Sequence, residues 1–192
     1  MTSIGIFFGT DSGTTRLIAK KIARSLVARI GEHVVAKPVN INRVDVNRLL
    51  QHDALILGTP TYGKGVLPGR DSRNTESSWL EFLPQLADAD FSGKRIALYG
   101  LGDQEEYPDH FADAIRDLHD AFTARGATPV GGCDIDGYEF NCSRAVIDGR
   151  FIGLVLDQHL QHLLTDERIE RWLDEIVPAL TGETAGRQQA NG

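Results

Sequence analysis

The stretch Gly9-Thr10-Asp11-Ser12-Gly13-Thr14-Thr15 places four hydroxyls, those of Thr10, Ser12, Thr14 and Thr15, between a short apolar run and a segment of helical spacing. Gly13 lets the backbone turn closely around an anion, and the helix that follows offers unpaired N–H groups and about half a positive charge at its amino end. Together they can hold a phosphate dianion without lysine. A nucleoside-triphosphate loop would end in GK[ST], and here Gly13-Thr14-Thr15 stands instead; a dinucleotide G-x-G-x-x-G is also absent. The chemistry that fits is therefore a single terminal monophosphate. Taken alone, the loop also reads as a plain helix cap.

Two further loops carry aromatics among turn residues. In "GTPTYGKGVLPG", Tyr62 stands amid Thr59, Pro60, Thr61, Gly63, Lys64 and Gly65. A tyrosine so placed can stack on a planar ring while the glycines let the backbone approach ring heteroatoms and change conformation. In "GLGDQEEYPDHF", Gly100, Gly102, Asp103 and Gln104 precede Tyr107. Either tyrosine alone is equally a surface residue on a loop. Two tyrosines and a monophosphate cradle describe a flat ring between aromatics, tethered to one phosphate, as in FMN.

These loops need strands to hold them. "SIGIFFG" (3–9) is a short apolar run closed by a glycine, "ALILGTP" (54–60) is apolar up to its turn residues, as a strand covered on both faces is, and "KRIALYGLG" (94–102) reads as another buried strand. "HVVAKPVNI" (33–41) reads as a β-rich edge segment because of Pro38. "ATPVGG" and "FIGLVLD" (151–157) read as strands around a polar segment from Asp134 to Arg150. Helices are expected over Thr15–Arg29, over a short stretch broken by Pro84, from about Asp109 to Arg125, and from Thr165 as N-cap. Five strands alternating with helices imply a three-layer α/β/α, doubly wound parallel sheet. Such sheets bind ligands at the strands' carboxyl ends, where the topology switches direction. All three loops follow strands, so they should meet there.

The chain has 192 residues, 41% hydrophobic and 24% charged, with a net charge of −7. That describes one globular domain over residues 1–181, with a tail at 182–192 expected to be disordered. No run approaches the ~18 apolar residues of a membrane span, and the start lacks a secretory pattern, so a cytoplasmic location is expected. Acidity argues against nucleic acid and anionic membranes and suits docking on a basic protein surface. Cys133 and Cys142 form no metal spacing and are expected to be reduced thiols. His159 and His162 have i, i+3 spacing, but nothing beside them completes a ligand set, so solvent-exposed histidines are the reading preferred.

From about residue 3 to 180 the chain resembles the flavodoxins, in "FFGTDSGTT", "LILGTPTYGKGVLPG", "SWLEFLPQL", "FSGKRIALYGLGDQEEYPDHFADAI", "DGYEFNCSRAVIDGRFIGLVLD" and "TDERIERWL". The polar segment before "FIGLVLD" looks like the insertion that splits the fifth strand of long-chain members. "SWLEFLP" and the "LPG" ending are most similar to members serving nitrogen fixation. The resemblance implies that Thr10, Asp11, Ser12, Gly13, Thr14 and Thr15 bind the FMN phosphate. It implies that Thr59, Pro60, Thr61 and Tyr62 line one side of the flavin, with the backbone of Gly63 and Lys64 facing N5. Leu101, Gly102, Asp103, Tyr107, His110 and His159 complete the expected set, with backbone near Asp103 on the pyrimidine edge and Tyr107 against the ring. In the family, the peptide after the position of Gly63 turns over when the ring takes its first electron.

The resemblance further implies a monomeric low-potential carrier rather than an enzyme. Its donor would be an NADPH- or pyruvate-linked reductase, and its acceptor the nitrogenase iron protein or another enzyme. A flavin-dependent NAD(P)H:quinone reductase and a module that has lost FMN are the alternatives. Some positions depart from the family pattern: Glu106 stands where glycine is frequent, and Lys64 where an acidic or apolar residue is. "DQHLQ" replaces an asparagine-containing acidic stretch, placing His159 and Leu160 near the ribityl chain, and Arg73 and Thr75 interrupt an acidic patch.

Overall fold

The computed structural model describes residues 2–10 and 12–182, so the expectations for Asp11 and for the tail at 183–192 lie outside the described residues. The three apolar runs form the strands Ile4–Phe8 (β1), Ala54–Pro60 (β3) and Arg95–Gly102 (β4), buried almost throughout. With the edge strand Val39–Asn40 (β2) they pair in parallel in the order β2-β1-β3-β4. Thr128–Val130 (β5) pairs with the start of β4. Cys133–Asp134 (β6), Val146–Ile147 (β7) and Arg150–Phe151 (β8) form a separate antiparallel sheet, and Leu154–Asp157 (β9) then pairs with the end of β4. The fifth strand is thus split, β5 and β9 being its halves.

Helices cover both faces. Thr14–Ile30 (α1) and Thr165–Thr181 (α5) pack on Ile4, Ile6, Phe8, Ile56 and Tyr99. On the other side, Trp79–Phe82 (α3) and Ala114–Thr123 (α4) pack on Phe7, Leu55, Leu57 and Leu98, with the short helix Val46–Leu50 (α2) near β2. Alternate residues of each strand supply the two cores, which is the period-2 geometry of a pleated strand.

Several boundaries differ from the sequence reading, each for a local reason. Residues 33–41 give only a bridge at Val35 and the two-residue β2, because Pro38 has no N–H to donate between them. The helix expected from Asp109 begins at Ala114. Ala112 has φ 55°, and residues 108–113 spend their polar groups on the insertion: Pro108 O accepts from Asn141 N, and Phe111 N donates to Cys142 O. Thr165 is the first helical residue rather than the cap, its hydroxyl accepting from Gln158 Nε2 at 2.6 Å. The run 151–157 breaks at Gly153, where a Cβ would strike the Leu98 carbonyl, so Phe151 joins the small sheet and Leu154 the large one.

The segment Asp134 to Arg150 is more ordered than its polarity suggests. Tyr138 and Phe140 pack on Phe111 and Phe151, with ring centroids 5.3 to 5.5 Å apart. The two thiols differ sharply. Cys142 is exposed, whereas burial, reinforced by Glu175, pushes the Cys133 thiol up to about 12. Since the thiolate is the reactive form, one equivalent of thiol reagent should react quickly with the native protein at neutral pH. The second, half-buried and with its thiol held protonated, should react much more slowly, and equal rates for both would contradict this difference.

Candidate cofactor site

The three loops leave neighbouring strands at one edge of the sheet. β1 and β3 pair up to Phe8 and Gly58, β3 and β4 up to Pro60 and Leu101. Beyond them, Gly9 N donates to Gly58 O at 2.9 Å and Thr61 N to Leu101 O at 3.0 Å. β1 and β3 are joined through opposite-side neighbours, β2 following β1 in sequence but lying on its other side, so this edge is the switch point of the sheet.

In the first loop, Gly13 adopts φ 91°, which admits few residues but glycine, and caps α1 with no side-chain bond. Its N–H donates to Thr10 Oγ1 at 3.0 Å, and Ser12 Oγ and Thr14 Oγ1 lie 3.3 Å apart. The first-turn amides of α1 have no partner within the helix. Thr15 is anchored from behind: Tyr99, buried in β4, donates its hydroxyl to Thr15 O at 3.1 Å. Burial raises the Tyr99 pKa well above its ordinary value, so it stays a donor. A cavity of about 540 Å³ opens here, lined by Thr10, Ser12, Gly13, Arg16, Asn40 and Arg43 among others. A cation also stands near the loop: the Arg16 guanidinium lies 3.9 Å from where a Cβ on Gly13 would be.

The second loop is a tight hairpin. Tyr62 N donates to Val66 O and Val66 N to Tyr62 O, both at 2.9 Å, closing the turn Gly63-Lys64-Gly65. Gly63 has φ 45° with no atom near its missing Cβ, so conformation and not space selects glycine there. Gly65 is needed for both reasons, with φ 84° and the Asp113 carboxylate against it. Thr59 is fully buried with its hydroxyl on Pro60 O, while Thr61 Oγ1 accepts from Ala114 N at 3.3 Å, tying the loop to α4.

In the third loop, Asp103 Oδ1 accepts from Glu105 N and Glu106 N, and Asp103 O accepts from Tyr107 N. This turn brings Tyr107 back beside Glu106, whose Oε1 accepts the tyrosine hydroxyl at 2.9 Å; that bond raises the Tyr107 pKa. Leu101 points into the core, leaving only its backbone at the site. His110 Nδ1 lies 3.2 Å from buried Asp113, and His159 is mostly exposed, its Nε2 3.7 Å from Asp103 Oδ2.

Sequence reasoning overlooked the residue that joins the loops. Asp157 is fully buried at the end of β9. Its Oδ2 accepts from Gln104 N at 3.2 Å and Gln104 Nε2 at 2.9 Å; its Oδ1 accepts from His159 N at 2.8 Å and Leu160 N at 2.9 Å. The signal was available, since "LVLD" sets a lone acid at the carboxyl end of an apolar strand. Gln104 was read only as a loop residue, and Asp113 was not singled out. Gln104 Oε1 accepts from Glu139 N, and Asp113 Oδ1 from Arg144 N, both at 2.6 Å, so each binds the third loop to the insertion.

A hydroxyl-lined helix end and two tyrosine-bearing loops at the switch point of a parallel sheet define a doubly wound protein built to hold a phosphorylated planar ligand. The comparisons place it within that class. The Flavodoxin family model matches residues 6–172, and the chain belongs to the flavodoxin family. It is 49% identical to a flavodoxin of Klebsiella pneumoniae over 92% of this chain and 97% of that one. It is 44% identical to a flavodoxin of Enterobacter agglomerans, over 94% and 99%. Among solved structures, a Fusobacterium nucleatum flavodoxin bound to flavin mononucleotide superposes with TM-score 0.82 at 33% identity, over 93% of this chain and 99% of that one.

Proposed function

We propose that the chain is an electron carrier that binds FMN at the three loops and passes single electrons between a reductase and an acceptor enzyme. The observation that carries this reading is the convergence of the hydroxyl loop and both tyrosine loops on one sheet edge. The donor set fits the cofactor. Hydroxyls of Thr10, Ser12 and Thr14 with the α1 amides suit a monophosphate, and Arg16 is near enough to add charge. Tyr62 and Tyr107 would flank the ring, the Gly63–Lys64 peptide would face its N5 side, and backbone near Asp103 its pyrimidine edge. Bound FMN supplies the one-electron chemistry; the chain orients it, excludes water from it and sets its potentials.

The finer assignment is a long-chain flavodoxin, a cytoplasmic monomer whose acceptor is the nitrogenase iron protein or another enzyme and whose donor is an NADPH- or pyruvate-linked reductase. Support comes from the "SWLEFLP" and "LPG" motifs and from residues 131–153, which stand between β5 and β9 as an insertion would. Titrating flavin-free protein with FMN and with riboflavin tests the cofactor reading. FMN should bind far more tightly, and equal affinity would remove the phosphate cradle. Rapid NADPH oxidation without a separate reductase would favour a quinone reductase instead.

Lys64 is exposed in the hairpin beside the proposed flavin position. A unit charge ~10 Å from the ring at an effective dielectric of ~40–80 contributes roughly 0.4–0.8 kcal/mol, about 20–35 mV for one electron. Lys64→Glu is therefore expected to lower the more negative of the two flavin potentials by tens of millivolts. Spectroelectrochemical titration of both proteins checks this, and an unchanged potential would contradict it.

A further inference from the structure

His52 is a buried imidazole that the cofactor site does not use. It lies in the turn between α2 and β3, at the amino ends of the strands, so the length of the sheet separates it from the three loops. It is 8% exposed, and neither ring nitrogen has a hydrogen-bond partner among the described residues. The ring packs over β1: a Cβ on Gly5 would lie 2.5 Å from His52 Cδ2, and the Phe7 ring centroid stands 5.8 Å from its own.

The backbone around His52 closes a corner of the molecule. Gln51 N donates to Asn47 O and His52 N to Leu49 O, ending α2, while Asp53 N donates to Ser3 O just before β1. Lys94 Nζ donates to Leu50 O at 2.8 Å and to His52 O at 2.7 Å, so the corner is also bound to the approach to β4. The charged groups that bear on the ring are Arg48 on α2, Lys94, and Asp53 beside it; β1 presents Gly5 and Phe7, which do not titrate. Asp53 is already engaged, its Oδ2 accepting from Ser3 N at 2.8 Å and from Ser3 Oγ at 3.4 Å. Burial, then Arg48 and Lys94, hold the His52 imidazole below its ordinary value against the opposing pull of Asp53.

An imidazolium in this niche would be a desolvated charge beside two cations, with no acceptor for either nitrogen. Released from the niche, the ring takes a proton near pH ~6.5; seated, it resists. The closed corner is therefore favoured above that pH. Its opening grows as the pH falls below it, by up to about tenfold per unit until the seated ring itself titrates.

We propose that His52 is a proton-operated latch: its uncharged ring seals α2 against β1, and uptake of a proton expels the ring and frees the corner at residues 47–53 while the cofactor end of the sheet stays closed. Local opening of this kind draws on a small part of the fold and leaves the rest intact. The inference stands apart from the carrier reading, because the latch lies at the opposite end of the strands.

NMR of the FMN-loaded protein follows the ring directly. The His52 resonance should titrate with a midpoint below about 6.5, and Arg48→Gln, which removes an exposed neighbouring cation, should raise that midpoint. Amide exchange is then compared at pH 7.5 and 5.5, corrected for its intrinsic pH dependence. Opening at Gln51 and His52 should rise about threefold or more at the lower pH, with the amides of β4 unchanged. His52→Phe should abolish the rise, and His52→Leu gives the same reading with a smaller side chain. A ring midpoint at or above 6.5, or exchange at Gln51 and His52 that ignores pH, would overturn the proposal. So would an acid response retained in both variants, or α2 and β4 opening together, which would mean unfolding of the whole molecule and not release of a corner.

Discussion

Asp157→Ala is expected to destabilise the protein by about 3–5 kcal/mol and to weaken FMN binding at least tenfold. The carboxylate is fully buried, and its two oxygens receive Gln104 N, Gln104 Nε2, His159 N and Leu160 N. Removing it strands those donors where water has little access, at ~1–3 kcal/mol for each group left unsatisfied. Some recover partners by local movement, so the sum stays in the range measured for breaking a buried charged network. For a chain of this size that is a fall in melting temperature of roughly 6–20 °C. The loss also reaches the site, because Asp157 ties Gln104 of the third loop to His159 and Leu160 after β9. Asp157→Asn separates the causes: one oxygen still accepts, but an NH₂ now faces other donors. Its penalty should fall between wild type and alanine. A thermal melt and an FMN titration together decide the matter, and a variant within 2 °C of wild type would show that Asp157 does not hold the loops.

The second large effect lies behind the phosphate loop. A Cβ at position 58 would overlap the Tyr99 ring, which crosses β3 at Gly58 on its way to Thr15 O. Tyr99 is fully buried in the core that α1 and α5 close on this face of the sheet, so the ring cannot swing aside without disturbing that core. Gly58→Ala should therefore cost about 1–3 kcal/mol in overpacking and about 1 kcal/mol more through the lost hydrogen bond. Because that bond fixes Thr15 at the start of α1, the FMN dissociation constant should rise as well. Tyr99→Phe is the control, since it removes the hydroxyl and leaves the packing. It should raise the dissociation constant while costing only about 1 kcal/mol in urea denaturation. If Gly58→Ala unfolds the protein no more easily than Tyr99→Phe, the close approach is not tight.

The exposed leucines after β9 and the loop join share one cause. The stretch Gln158 to Leu164 has the leucines of a buried helix and the glutamines and histidines of a surface loop. Burial cannot be read from such a mixture. Only the anchoring by Asp157 and the exposure it leaves show that the leucines face outward.

Elements whose burial is complete on both faces were legible from residue order alone. β1, β3 and β4 read as unbroken apolar runs because parallel strands under two helical layers tolerate nothing else. The loops after them were legible for a related reason: glycine and hydroxyls at a strand-to-helix turn answer a local demand for positive φ and anion contact. The sequence alone thus determined the parallel sheet, its switch point and the residues at its edge. It could not determine where residues 108–113 leave the helical path, how the insertion forms its own sheet, or that Asp157, Gln104 and Asp113 join the loops. Those features depend on partners 31 to 53 residues away, as in Asp113 with Arg144 and Gln104 with Asp157. A buried carboxylate is stable only where folding brings several donors to it at once. That convergence exists only in the tertiary structure.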